Sequence, residues 1–274
     1  MSGPGTALVR LGIEGTETGN EWSGSARHEN KAHMKVITPN CRVQFTAQDV
    51  DFITEVLGKK AGEKGFLSEL LADESSRDLL LDQDALHAAF METRTCLRTS
   101  LHLYFYVLVR HSLRRAGIQE RDVADYVAEM LAEYSQQSSH TLKVPAQSAS
   151  LDYFYEMMGA LDHADENTRF GIRAHMGNQS LFLTGVFPER IRHRCERRGF
   201  PDLKYYAALG RSSFREASHH RLAERYQLSE IFDNLAGHFE EARRALNDLA
   251  DRTLSLGDHS QSIEALLRRV SSLS

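Results

Sequence analysis

At 274 residues, with 41% hydrophobic and 26% charged side chains, the chain has ordinary globular proportions and enough apolar mass to bury a sizeable core. Those proportions exclude wholesale disorder, and a net charge of −5 excludes a protein whose whole surface is a nucleic-acid footprint. Cys41, Cys96 and Cys195 are widely spaced and form no CxxC pair, so neither a zinc site nor a disulfide framework is implied, and a reducing compartment fits best. The longest apolar run, around Leu101–Val109, falls far short of the roughly 20 residues of a membrane-spanning helix. With no secretory pattern at the N-terminus either, the expected location is the cytoplasm.

Residues 1–33 are rich in Gly, Thr, Ser, Glu and Asn and carry little apolar periodicity. A segment of that kind buries too little to offset its ordering entropy. The expectation is a disordered tail ahead of a single helical domain over 34–274; a translation start at Met34 would account for the same composition. Met34–Phe45 holds two β-leaning fragments broken by Pro39-Asn40. Thr46 as N-cap, Asp49 three residues on, and the flanking Phe45 and Val50 then mark a helix start. Val50, Ile53, Val56 and Leu57 line one face of that helix, and Gly58 offers its stop.

Short helical pieces are expected over Phe66–Leu81, then helices over Asp84–Cys96 and Ser100–Ala116, the second closed by Gly117. LHLYFYVLV within the latter is apolar on all sides, which predicts a central helix surrounded by others. Residues 121–135 give the cleanest amphipathic signal: Val123, Tyr126, Val127, Met130, Leu131 and Tyr134 on one side, Arg, Asp and Glu on the other. A polar loop over Gln136–Ser150 leads to a helix carrying Phe154, Met157, Met158 and Leu161. Pro188 and Pro201 read as first-turn prolines of new helices, with Gly199 closing the first. From Leu228 onward, Leu228, Phe232, Leu235, Phe239, Ala242, Leu246 and Leu249 alternate at four and three, a heptad seam. Such a seam packs within a bundle or joins two copies in a coiled coil.

Searches for chemistry return little. No Walker loop, GxGxxG, GxSxG elbow, HExxH or CxxC is present. Thirteen histidines and 38 acidic residues predict roughly two acid-x-x-His pairs by chance, and two occur, Asp84…His87 and Glu216…His219. No metal and no cofactor is therefore expected. The stretch Phe170–Glu189 stands apart. As a helix it sets Gly171, His175, Asn178, Phe182 and Gly185 on one face, although each interior glycine costs about 1 kcal/mol relative to alanine. That face suits tight packing around a satisfied His–Asn pair or a small-molecule pocket at His175 and Asn178, and a simple loop around Gly177 between two helices is the third reading. Arg190, Tyr205 and Arg211 follow in the same third of the chain, and the arginines would favour a small anionic ligand. Residues 189–225 carry ten Lys or Arg against five acidic residues, a local excess of five positive charges. That excess is either a solvated basic face or a nucleic-acid surface.

The phrases NQSLFLTGVFPERI and GFPDLKYYAALGRSSFREAS resemble a pattern in an uncharacterised bacterial family of helical proteins. The resemblance spans about Met34 to Leu256 and implies a helical core that leaves residues 1–33 outside, with no function and no site carried over. The expectation is thus an all-α multi-helix bundle that works by protein–protein contact without catalysis, with the 228–249 seam as a route to a homodimer. Two alternatives stand beside it: a ligand-binding protein or enzyme with its pocket near His175 and Asn178, and nucleic-acid binding through 189–225.

Overall fold

The computed structural model describes residues 36–58, 63–92, 99–136 and 154–255. The expected 1–33 tail, residues 137–150 of the expected loop and the Cys96 end of the Asp84 helix lie outside the described residues. Within them the regular structure is thirteen α-helices and one 3-10 turn, Arg42–Gln44, with no strand. The helices are α1 (Ala47–Leu57), α2 (Glu63–Ala72), α3 (Glu74–Leu81), α4 (Asp84–Glu92), α5 (Leu101–Arg115), α6 (Arg121–Gln136) and α7 (Phe154–Leu161). They continue as α8 (Glu166–Val186), α9 (Pro188–Arg198), α10 (Leu203–Ser218), α11 (Arg221–Arg225), α12 (Ser229–Gly237) and α13 (Phe239–Ser255). No helix among the described residues is long and apolar enough to cross a membrane.

Side-chain caps set many of the starts. Thr46 and Asp49 form the expected reciprocal box at α1, with the Asp49 N–H donating to Thr46 Oγ1 at 3.3 Å and the Thr46 N–H to Asp49 Oδ2 at 2.7 Å. Ser100, Asp165 and Asp202 each accept an N–H from the third residue beyond, opening α5, α8 and α10. Pro188 occupies the first turn of α9, and Gly199 ends it in the left-handed region at φ 66°. Pro201 differs from expectation: it sits before the Asp202 cap and outside α10.

The apolar run of α5 is buried on every side, Leu103 through Arg110, as its composition requires. It packs on α6 and α13, while α8 lies against α10 and α13, and α12 bridges α10 and α6. Three further features go beyond or against the sequence reading. The β-leaning fragments before Phe45 form no strand; Val36–Phe45 is irregular apart from its single 3-10 turn. The polar side of α6 is solvated only in part: Asp125 and Glu129 are buried beneath that turn, while Asp122 is exposed. The helix from Leu228 is not continuous: Gly237 ends α12, His238 takes φ −112°, and α13 begins anew at Phe239. Glycine at the last position weakens the helix enough for the chain to turn there. All seven seam residues are buried within this one chain. Phe232 meets Tyr126 and Phe214 at ring separations of 5.4 and 5.3 Å, and Phe239 reaches Phe214 at 6.3 Å.

Candidate interaction surface

Two glycines of α8, Gly185 on the expected face and Gly177 beside it, are packed against the rest of the chain. A Cβ on Gly177 would lie 2.7 Å from the Phe214 ring, and one on Gly185 would lie 2.8 Å from Leu246 Cβ. From the other side, a Cβ on Gly210 of α10 would come within 2.5 Å of Ser180 Cβ and 2.6 Å of the Phe239 ring. Glycine at these positions lets α8, α10 and α13 approach closely, and the notch holds Phe214 and Leu246. Asn178 is buried beside it and accepts a hydrogen bond from the Tyr126 hydroxyl at 2.8 Å. His175 lies one turn earlier, half-buried.

The other expected site residues fall elsewhere. Arg211 is exposed on α10, where its charge is felt by Glu240 of α13. Arg190 and Tyr205 belong to a different surface, built on α9. PERIRHRCERR has too few apolar positions to be buried, and only Pro188 and Ile191 face inward. Arg192 is paired with Glu189. Arg190, Arg194, Arg197 and Arg198 have no ion pair to a carboxylate among the described residues. Burial, with Arg194 one turn on, pushes the Arg190 guanidinium below its usual range. Like charges four apart on a helix repel, so this cluster is held at a cost.

Aromatic side chains adjoin those arginines. The Arg194 guanidinium sits 4.5 Å from the centroid of the Phe200 ring, a cation–π contact. Tyr206, half-buried next to Arg194, packs on Phe154 at 5.2 Å and on Tyr205 at 5.5 Å. The Tyr205 hydroxyl reaches Met158 Sδ at 3.8 Å, which ties α10 to α7. Four large apolar side chains remain exposed here: Tyr155 at 71%, Met158 at 44%, Tyr205 at 43% and Phe200 at 38%. Single exposed apolar residues are ordinary, but a cluster beside unneutralised charge marks a contact surface. Arg194, Phe200, Tyr155 and Met158 were not singled out from sequence, because nothing local says that α7 packs beside the start of α10.

Two clusters of buried charge are internally satisfied. Arg42 donates from its backbone to Asp125 Oδ1 at 2.8 Å and from its guanidinium to Asp78 and Asp122, both at 2.9 Å. Burial pushes the Asp125 carboxyl up to about 6 against the pull of Arg42. Arg110 clasps Asp82 through two bonds of 2.8 and 3.1 Å, and Arg121 adds a third at 3.0 Å. Burial raises the Asp82 carboxyl, and those bonds more than offset it, holding it below the usual range.

Neither acid-x-x-His pair forms a metal site. The His87 ring stacks on His111 at 3.6 Å and 12°, so their nitrogens do not converge, and Glu216 is taken by Arg173 at 2.7 Å. Among the described residues no three His, Cys, Asp or Glu side chains are placed to hold a metal ion. The adjacent histidines part company: His219 is exposed at the end of α10, while His220 caps α11 and stacks on Phe170 at 5.1 Å. A cavity of about 260 Å³ between α5 and α13 mixes Arg115, Arg244 and Arg252 with Glu241 and Asp248. Another of about 560 Å³, lined by Glu120, Asp122, Glu224 and Glu230, lies between the start of α6 and the α11–α12 link.

Compared with known proteins, the chain matches no family model, no curated protein and no solved structure.

Proposed function

We propose that the protein is a non-catalytic helical interaction module whose contact surface is α9 with the adjoining ends of α7 and α10, and that it grips a partner of negative charge. The observation behind this is the set of four arginines, Arg190, Arg194, Arg197 and Arg198, that lack a carboxylate in a chain of net charge −5. The buried and half-buried Arg42, Arg110 and Arg121 are different, each reaching at least one carboxylate, while Arg115, Arg211, Arg215 and Arg225 share the lack but lie on other helices. Guanidinium groups left open on one helix suit carboxylates or phosphates supplied from outside. The heptad seam is interior, which leaves α9 as the better surface for a partner. A cytoplasmic location accords with the free thiols of Cys41 and Cys195.

Retention of the full-length protein on a heparin column tests the proposal. The expected result is elution at raised salt, lost on Arg194→Glu/Arg197→Glu while the circular dichroism spectrum is unchanged. Passage through the column without retention, or retention unaffected by the two substitutions, would remove α9 as the contact surface.

A further inference from the structure

Resting on that contact surface, we infer that the partner is a single-stranded nucleic acid, its phosphates held by the α9 arginines and its bases stacked on the exposed rings of Phe200 and Tyr205. Two independent features of the surface converge on this chemistry.

The first is the charge. Arg190, Arg194, Arg197 and Arg198 follow helical spacing, so they form one stripe about 12 Å long at the 1.5 Å rise per residue of an α-helix. All five basic residues of α9 are arginines and none is lysine. The planar fork of arginine binds phosphate bidentately, and arginine also lies flat on aromatic and base rings, as Arg194 already does on Phe200.

The second is the rings. Acidic protein segments and duplex backbones have no use for exposed aromatic faces, whereas unpaired bases stack on them. Tyr205 stands nearly perpendicular to Tyr206, at 82°, and is propped by Met158. Its ring meets the half-buried Tyr206 edge-on and remains 43% exposed. Phe200 meets Arg194 on one side and remains 38% exposed. Rings fixed beside a phosphate-binding stripe form the stacking platform and cationic track that single-strand binders combine.

An anionic membrane is the less favoured occupant. A helix that lies in a membrane interface turns a broad apolar face outward. The apolar residues of α9 point inward, and those that remain exposed nearby belong to α7, to α10 and to Phe200 between α9 and α10.

The test is fluorescence anisotropy of the full-length protein with a labelled 16-nucleotide single-stranded RNA, the same sequence as single-stranded DNA, and the matching duplex. At least one single strand is expected to bind roughly ten-fold or more tightly than the duplex. With four phosphate contacts its affinity should fall about fifty-fold between 50 and 200 mM salt. Phe200→Ala/Tyr205→Ala should weaken single-strand binding by roughly ten-fold or more while leaving heparin retention in place, since stacking on an aromatic ring is worth about a ten-fold change per base or more. Arg194→Glu/Arg197→Glu should abolish both.

Equal or tighter binding of the duplex would overturn the inference. So would an aromatic variant that binds like the parent, or preferential binding to phosphatidylserine-containing vesicles. In each case, if arginine-dependent heparin retention persists, the basic contact surface survives and only the identity of its partner falls. Loss of heparin retention itself in the parent protein would overturn both.

Discussion

The hydroxyl of Tyr126 donates to the amide oxygen of Asn178 at 2.8 Å, joining α6 to α8 with both side chains shut away from solvent. Removing the donor leaves that oxygen buried without its partner, at a cost of about 1–3 kcal/mol. Tyr126→Phe is therefore expected to lower the unfolding free energy by about that amount in a urea titration. A double-mutant cycle with Asn178→Ala should show a coupling near 1 kcal/mol. Additive effects would mean that the bond contributes nothing to stability.

Two glycines should respond to alanine with opposite signs. At Gly210 the new methyl would meet Ser180 and the Phe239 ring inside ordinary contact distance, and at Gly159 it would meet nothing within 4 Å. Overpacking a fitted contact costs about 1–3 kcal/mol, so Gly210→Ala should be destabilised by that order. In the solvent-facing position on α7, Gly159→Ala should gain about 0.5–1 kcal/mol, the ordinary preference of a helix for alanine. Urea midpoints of the two variants check both signs.

Asp82 anchors a knot of arginines. Truncating it strips the carboxylate from Arg110, which is only 4% exposed, and takes one of two from Arg121, which keeps Asp78. Breaking a buried pair by removing one partner costs about 3–5 kcal/mol, because the other charge stays buried. Asp82→Ala should therefore fall in that range by chemical denaturation, far more than loss of the exposed pair Arg169–Glu166.

Stability in mild acid should depend on two buried groups that pull in opposite directions. Burial, together with His111 and Arg252, pushes His87 down to about 4. Between pH 4 and 6.5 the unfolded chain therefore takes up the His87 proton more readily, and stability is lost as the pH falls. Asp125 is the reverse case: its carboxyl is raised to about 6, so the folded state holds the proton more tightly and stability is lost as the pH rises through 6. His87→Phe keeps a ring on His111 and should make stability rise less steeply with pH over this interval. Asp125→Asn still offers an oxygen to the Arg42 N–H and should make it rise more steeply. Each change should approach about 1.4 kcal/mol per pH unit for one full proton. Parallel slopes in both variants and parent would contradict the account.

The helical class and several helix boundaries were readable because they rest on local chemistry. Thr46 with Asp49, Pro188 with Gly199, and the apolar run of α5 each act within a turn or two of themselves. The glycines in Phe170–Glu189 correctly announced close approach, but only the fold shows that Phe214 and Leu246 fill the space. The burial of Asp125 on the polar side of α6 was not legible for a nonlocal reason: it is covered by Arg42, 83 residues earlier. The surface on α9 was half legible. Arg190 and Tyr205 could be picked out by type, whereas Met158 and Tyr155 enter only because α7 comes to lie beside Tyr205, 47 residues from Met158.

The turn at Arg42–Gln44 makes its bonds with partners that the ribosome delivers much later. Arg42 must wait for Asp125, and Gln44 for Glu129, separations of 83 and 85 residues. At a synthesis rate of about 5–20 residues per second, that wait lasts roughly 4–17 s. During this interval the contacts that cover the Cys41 thiol in the finished fold are incomplete. Once docked, it is fully buried and donates to the His102 carbonyl at 3.2 Å. Its window for oxidation or alkylation therefore closes with translation of α6, and a chain stalled before that point keeps the thiol reactive.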